Sequence, residues 1–187
     1  DMKLLVSDRH SEYESGLDDD GLFVDFLSFP EVGSADQQSV ELQFSGTNGR
    51  ADYVVGLYYF EEEGGNTQSS YTFNGGGGGF FFLGQNMDSQ AVYANVGYNV
   101  SDALRIAAGV RHTSDEKTAR TILIPDVLDE TQSRDWSETS WDVSASYKFS
   151  DRMTAYGAIQ NGYQSGQFPP RPFCLFGWFF GGAPYCF

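Results

Sequence analysis

The acidic run at residues 18–21 (DDDG) is the first stretch whose side chains suit metal binding. A calcium loop of the EF-hand type needs an oxygen ligand two residues before this run and a glutamate at its twelfth position. Those two places hold Gly16 and Leu27. The sequence therefore predicts a solvated acidic loop here, and a wet acidic rim for the glutamates at 61–63.

Consecutive glycines at 75–79 precede Phe80, Phe81 and Phe82. A phosphate-binding loop would continue with Lys and then Ser or Thr at the start of a helix, and neither residue type follows here. We interpret this segment as a mobile loop tip with an aromatic patch. Its three phenylalanines are candidate contacts for a hydrophobic ligand.

Catalytic arrangements are missing from the sequence. His10 and His112 are the only histidines, and neither has a second His or Cys at a metal-binding spacing. There is no Gly-x-Ser-x-Gly elbow and no Cys–His pair, and the carboxylates have no positioned partner. The sequence predicts that the protein is not an enzyme and that it holds no metal ion and no cofactor.

Cys174 and Cys186 are the only cysteines of the chain. In an oxidising compartment they would bridge, and closing a loop of this size contributes about 3 kcal/mol in the chain-entropy model. We predict a disulfide between them, with two free thiols as the alternative.

Composition limits the elements that position these residues. The 187 residues include 22 Gly and 16% aromatics, and 11 basic against 26 acidic side chains give a formal net charge of -15. A nucleic-acid binder needs a basic face, so nucleic acid is excluded as a partner. The aromatic content argues against disorder. The sequence fits an acidic, glycine-rich β protein.

Alternation of apolar and polar residues is the dominant pattern, as in residues 40–44 (VELQF) and 141–149 (WDVSASYKF). The alternation predicts seven strands, at 2–13, 38–47, 51–62, 90–100, 104–116, 138–149 and 153–164. Short turns at 47–50, 101–103 and 150–152 alternate with long polar connections at 14–37, 63–89, 117–137 and from 165 onward. The sequence therefore predicts an antiparallel up-and-down sheet with every short turn at one end.

This asymmetry is typical of bacterial outer-membrane barrels, which have short periplasmic turns and long extracellular loops. Aromatic residues fall at both ends of the strands, as barrel girdles do: Tyr53 and Tyr59 on one strand, Trp141 and Tyr147 on another. Lipid rejects charge, so we expect the apolar residues of each strand to share one face and the small or polar ones the other. A β-sandwich core is the alternative interpretation of the same alternation.

Three basic residues, Arg105, Arg111 and Lys148, fall on the predicted polar face, with Asp142 and Glu41 nearby on the same face. We interpret them as partners of carboxylates across the strands, and substrate contact is the alternative.

Three motifs carry a family resemblance. Ala51–Glu63 (ADYVVGLYYFEEE), Leu104–Lys117 (LRIAAGVRHTSDEK) and Tyr156–Phe168 (YGAIQNGYQSGQF) resemble, in this order, segments of the barrel of TonB-dependent outer-membrane receptors. The resemblance implies a multi-pass β-barrel in the outer membrane of a Gram-negative bacterium. It implies active import of a scarce ligand such as a ferric siderophore, with the TonB complex, lipid and lipopolysaccharide as partners.

The family barrel has about 22 strands around a plug, whereas the sequence predicts seven strands. We therefore expect residues 1–187 to be an open, partial barrel from the middle of a longer receptor, without the plug domain and the C-terminal strands. Two other functions stay open: a wall segment of a passive porin or adhesin barrel, and a soluble secreted β-sandwich that binds a partner.

Overall fold

A computed structural model of the protein describes residues 1–18, 27–73, 77–123 and 128–168. Within these ranges the strands are β1 (Met2–Asp18), β2 (Leu27–Asn48), β3 (Ala51–Phe73), β4 (Gly77–Asn99), β5 (Leu104–Leu123), β6 (Leu128–Ser150) and β7 (Met153–Gln160). They form one seven-stranded sheet in chain order, each strand antiparallel to the next. The predicted all-β, up-and-down, open sheet is confirmed, with β1 and β7 at its edges. Nowhere in the described part of the chain is a helix long and apolar enough to cross a membrane.

The three short turns lie at the same end of the sheet, as predicted. Between β2 and β3, Gly49 has a φ of 63°, in the left-handed region that glycine adopts without strain. Between β4 and β5, the Ser101 hydroxyl accepts the N–H groups of Ala103 and Leu104, at 3.2 and 3.0 Å. Short polar turns of this kind hold consecutive strands in a fixed register.

The predicted long connections are shorter in the structure, because the strands continue through most of them. β2 begins at Leu27, β3 runs to Phe73 and β6 begins at Leu128. The prediction relied on apolar alternation, and alternation is lost where both faces of a strand meet water. Here polar pairs between neighbouring strands stabilise the sheet, such as Gln37 Nε2 to Glu62 Oε2 at 2.5 Å.

The two faces of the sheet separate as predicted. Partners across antiparallel strands share a face, so the register gives rows of residues that point the same way. We call one side of the sheet the apolar face. One of its rows consists of Phe44, Val55, Ala94, Val110 and Trp141. The adjacent row, on the opposite or polar face, reads Ser45, Val54, Asn95, Gly109, Asp142.

Large apolar side chains on the apolar face are exposed because a single-layer sheet has nothing packed against that side. We call the part of this face that carries the large apolar side chains the apolar belt. Aromatic residues lie near both of its ends: Tyr53, Tyr98, Tyr147 and Phe149 near the short turns, and Tyr59 and Trp141 toward the other end. The two aromatic levels predicted from the sequence are thus on one face. The row through Tyr53, Val96, Ala108 and Val143 carries no charged side chain.

Candidate functional site on the polar face

An ion pair joins β3 to β5 on the polar face near the short turns. Arg105 donates from Nη1 and Nη2 to the two carboxylate oxygens of Asp52, at 2.7 and 2.8 Å, and from Nη1 to Asn99 Oδ1 at 3.3 Å. The guanidinium passes over Gly97, which lies between these residues and has no side chain to block it. The prediction that Arg105 pairs with a carboxylate on another strand is confirmed, and that carboxylate belongs to Asp52.

Arg111 lies farther along the polar face, between two aromatic rings. Its guanidinium carbon is 5.2 Å from the Tyr58 ring centroid and 5.8 Å from the Tyr93 ring centroid, within cation–π range. The Tyr93 hydroxyl donates to Glu41 Oε1 at 2.5 Å. The sequence predicts a carboxylate partner for Arg111, whereas its described contacts are these two rings and the Thr113 hydroxyl, which accepts from Nε at 3.2 Å.

Toward the end opposite the short turns, a patch of the polar face is buried. The buried polar residues here include Ser89, Thr113, Asp115 and Lys117, with Asp115 only 4% exposed. A single-layer sheet cannot bury its own face, so some other part of the chain must cover this patch. The Ser89 hydroxyl donates to Asp115 Oδ1 at 2.6 Å, which ties β4 to β5 beneath the cover.

The cover is residues 161–168, which we call the strap. The alternation predicts that the last strand ends at 164, but β7 ends at Gln160. Asn161 is the last residue that is hydrogen-bonded alongside β6. Its N–H donates to the Trp141 carbonyl at 3.1 Å, and its Oδ1 accepts from the Trp141 N–H at 2.6 Å. Gly162 follows, and the chain then crosses the polar face toward β5.

Three contacts hold the strap on the polar face. The Tyr163 hydroxyl donates to Asp115 Oδ2 at 3.0 Å, and Lys117 Nζ donates to the Gly166 carbonyl at 2.9 Å. Phe168 packs edge-on against Trp136 with ring centroids 6.4 Å apart. Burial, together with the hydrogen bond to Asp115, raises the pKa of Tyr163 to about 12, so this phenol stays a donor at neutral pH.

The strap cluster (Asp115, Lys117, Trp136 and the strap itself) is a site that the sequence does not predict. Apolar alternation assigns residues 117–137 to a connection, which leaves Lys117 and Trp136 outside the predicted strands. Asp115 falls on the face of Arg111 within the predicted strand 104–116, and continuing the alternation beyond residue 116 would have put Lys117 on the same face. The strap's inward path has no comparable signal in the sequence.

The residues predicted as ligand contacts stay a prediction. Phe80 and Phe81 lie on β4 by their backbone, and their side chains are outside the described residues, whereas the Phe82 side chain is half-buried. The adjoining glycines 77–79 pair with β3 as strand rather than forming a loop tip, because an antiparallel neighbour supplies their hydrogen bonds. Cys174, Cys186 and most of the 18–21 run also lie outside the described residues. Within the described ranges, no group of His, Cys, Asp and Glu is arranged to hold a metal ion.

His10 forms a small charged cluster on β1, beyond the apolar belt. Its Nδ1 is 2.7 Å from Asp36 Oδ1 and its Nε2 is 3.3 Å from Glu12 Oε1. The hydrogen bond to Asp36 and then the one to Glu12 raise the pKa of His10 above its ordinary value. A raised pKa means that this cluster stabilises the fold fully below about pH 6.5 and loses its contribution as the pH rises through the raised value.

We predict that Asp36→Asn lowers the His10 pKa, because it removes the larger of the two causes. Titration of the His10 ring by NMR measures this directly. Asp8→Asn is the matched control. Asp8 lies on β1, as His10 does, and its carboxylate is not hydrogen-bonded to the His10 ring. An unchanged titration in Asp36→Asn would contradict the assignment.

The chain matches a protein-family model described as TonB dependent receptor-like, beta-barrel, over residues 6–185. No curated protein matches it in sequence. Among solved structures it is similar to the ferric yersiniabactin uptake receptor FyuA from Yersinia pestis, with a TM-score of 0.72 and 17% identity over 84% of this chain and 24% of that one.

Two further solved structures are similar at lower scores. The siderophore receptor PiuA from Acinetobacter baumannii has a TM-score of 0.53 and 10% identity over 70% of this chain and 24% of that one. The ferric-catecholate import receptor Fiu from E. coli has a TM-score of 0.50 and 13% identity over 75% of this chain and 26% of that one. The chain thus spans about a quarter of the length of each. At these identities the likeness concerns the fold.

Proposed function

Because the chain belongs to the TonB-dependent receptor β-barrel family, we propose that it forms part of the wall of an outer-membrane receptor that imports a scarce ligand. The location is the outer membrane of a Gram-negative bacterium. The apolar face meets lipid, with lipopolysaccharide in the outer leaflet, and the polar face lines the lumen. Energy for import comes from the TonB complex.

One observation carries this proposal: a single sheet leaves its apolar face uncovered, with aromatic side chains at two levels. Tyr53 and Tyr59 are separated by six residues of β3, which span about 20 Å at ~3.3 Å per residue. Trp141 and Phe149 are separated by eight residues of β6, about 26 Å along the strand and about 20 Å across the membrane at the usual barrel tilt, close to the ~25 Å apolar band of outer-membrane barrels. The described residues form one sheet, so a two-layer sandwich, the soluble alternative, is not what this part of the chain builds.

We propose residues 1–187 as one portion of the barrel wall, in a receptor whose plug and remaining strands are contributed by other segments. Support comes from size, since the chain spans about a quarter of the solved receptors that it resembles. Seven strands are also too few to enclose a plugged lumen, which takes about 22. Contact with TonB is then made through the plug.

The ligand class that we propose is an iron chelate. The similar structures are named as receptors for ferric yersiniabactin, a siderophore and ferric catecholate. In this chain the polar face carries both charged groups, such as Arg111 and Lys117, and aromatic rings, such as Tyr58 and Trp136. These groups suit binding and transfer, and the protein is proposed to be a receptor without catalytic activity.

Growth on iron chelates tests this function. We expect a strain that lacks its own siderophore receptors to grow on iron-restricted medium with at least one ferric chelate when it expresses the full reading frame. The same strain without TonB should not grow, because import needs energy. Growth that is independent of TonB would indicate a passive pore instead, and failure to grow on any chelate with the protein present in the outer membrane would contradict the proposal.

A further inference from the structure

Lys117 is a buried cation whose described partners are all uncharged. It is 5% exposed, donates to the Gly166 carbonyl at 2.9 Å and lies 5.8 Å from the Trp136 ring centroid. The ion pairs found among the described residues do not include it. Buried charges are normally paired with an opposite charge, because leaving water is costly otherwise.

Asp115 is close to Lys117 on the same face of β5, yet its oxygens take hydrogen bonds from the Ser89 and Tyr163 hydroxyls. Two opposite charges on one strand are thus each bonded to neutral groups. The strap supplies one partner to each of them. It therefore covers the ammonium group of Lys117 without neutralising it.

We propose that Lys117 Nζ is a binding position for a negatively charged group of the ligand, and that the strap leaves this position when the ligand binds. The inference rests on the proposed function, and it narrows the ligand to an anionic chelate with flat aromatic groups. The Trp136 ring beside the ammonium offers the flat apolar surface. The Gly166 carbonyl holds the position until an anion replaces it.

An anion at this position gains a Coulomb attraction to the ammonium that the neutral Gly166 carbonyl lacks. The exchange is opposed by the strap contacts that must break, Tyr163 to Asp115 and Phe168 to Trp136. Apparent affinity then depends on how often the strap is open. Weakening the strap and removing the ammonium should therefore have opposite effects.

The test measures binding of two radioiron chelates to outer membranes that contain the full reading frame. One chelate is a trianionic tris-catecholate of Fe(III), and the other is a neutral tris-hydroxamate. We expect Lys117→Met to weaken binding of the anionic chelate by about 10- to 100-fold, as for loss of a hydrogen bond between charged groups, and to leave the neutral one unchanged. Lys117→Arg should keep the preference.

Tyr163→Phe removes one strap contact and leaves Lys117 in place. We expect it to strengthen binding of the anionic chelate by about 2- to 10-fold, the usual range for one hydrogen bond. Lys148→Met is the matched control, because it removes an exposed lysine that pairs with Asp151 near a short turn. It should change neither affinity.

Two results would overturn the inference. If Lys117→Met strengthened binding as Tyr163→Phe does, Lys117 would only fasten the strap. If Lys117→Met left the preference for the anionic chelate unchanged, Lys117 would not contact the ligand. In either case the proposed import function would stand, because the wild-type protein would still bind chelate.

Hydrogen exchange of the strap amides, residues 161–168, gives a readout that needs no chelate. Citrate, a metal-free trianion, should speed exchange of these amides in the wild type and not in Lys117→Met. If citrate has this effect while the strain grows on no ferric chelate, the proposed function fails and the anion site stands. Equal exchange in both proteins, with and without citrate, would contradict the anion site.

Discussion

Replacing Val143 by arginine should prevent stable insertion of the sheet in the membrane. Val143 lies on the apolar face of β6, between Trp141 and Tyr147, and its side chain is 45% exposed with nothing packed over it. If this face meets lipid as we propose, the guanidinium would sit near the middle of the apolar band. Arginine there costs about 2–4 kcal/mol in outer-membrane barrels. We expect a loss of that size in urea unfolding of the full-length protein refolded in lipid vesicles.

Ser144→Arg is the matched control for this substitution. Ser144 is the next residue of β6 and lies on the polar face, opposite Ala107 and Ala158, so small neighbours leave room for the longer side chain. We expect its unfolding free energy to stay within about 0.5 kcal/mol of the wild type, as for surface substitutions. Equal losses for the two variants would show that the apolar face is not in lipid.

The part of the fold near the short turns was predictable because the apolar face and the polar face of the sheet require different residues at alternate positions. Val143 and Ser144 fall on opposite faces for this reason, and the same rule placed Arg105 and Arg111 on the polar face. The three sequence motifs indicate the family on their own, and the family match over residues 6–185 confirms that resemblance.

Beyond the part of the apolar face that carries large apolar side chains the rule no longer applies, since polar residues occupy both faces of a strand. There the length of β2, β3 and β6 depends on polar pairs such as Gln37 with Glu62, which the sequence of one strand does not reveal. The register between neighbouring strands determines which residues form such pairs. It also gives Arg105 the partner Asp52, two strands away, whereas the sequence pattern names Asp142 and Glu41 as the nearby carboxylates without assigning either to Arg105.

The strap cluster was beyond sequence reasoning for a different physical reason. Its contacts join residues 89, 115, 136 and 163, which no local period relates, and they depend on where the chain turns after Asn161. From its position in the sequence, Tyr163 fits a continuation of the β7 strand as well as it fits a segment that leaves the sheet. The end of β7 at Gln160 and the strap's contacts with Asp115, Lys117 and Trp136 show that the chain has left the sheet.

A methyl group at Gly97 should destabilise the polar face near the short turns. A Cβ built on Gly97 would overlap the Arg105 guanidinium and lie 2.9 Å from Asp52 Oδ2. The ion pair holds Arg105 in this place with two hydrogen bonds, so the guanidinium cannot move without breaking them. We expect Gly97→Ala to cost about 1–3 kcal/mol, the range for overpacking, in the same urea unfolding assay.

Gly157→Ala gives the opposite expectation and serves as the control. A Cβ on Gly157, also within a strand, meets nothing within 4 Å, and alanine is favoured over glycine in strand interiors by roughly 0.5–1 kcal/mol. Gly157→Ala should therefore be neutral or slightly stabilising. In an Arg105→Ala background the cost of Gly97→Ala should fall by at least half, because the overlapping group is gone. An undiminished cost in that background would mean that the close approach of Arg105 is not what requires glycine at position 97.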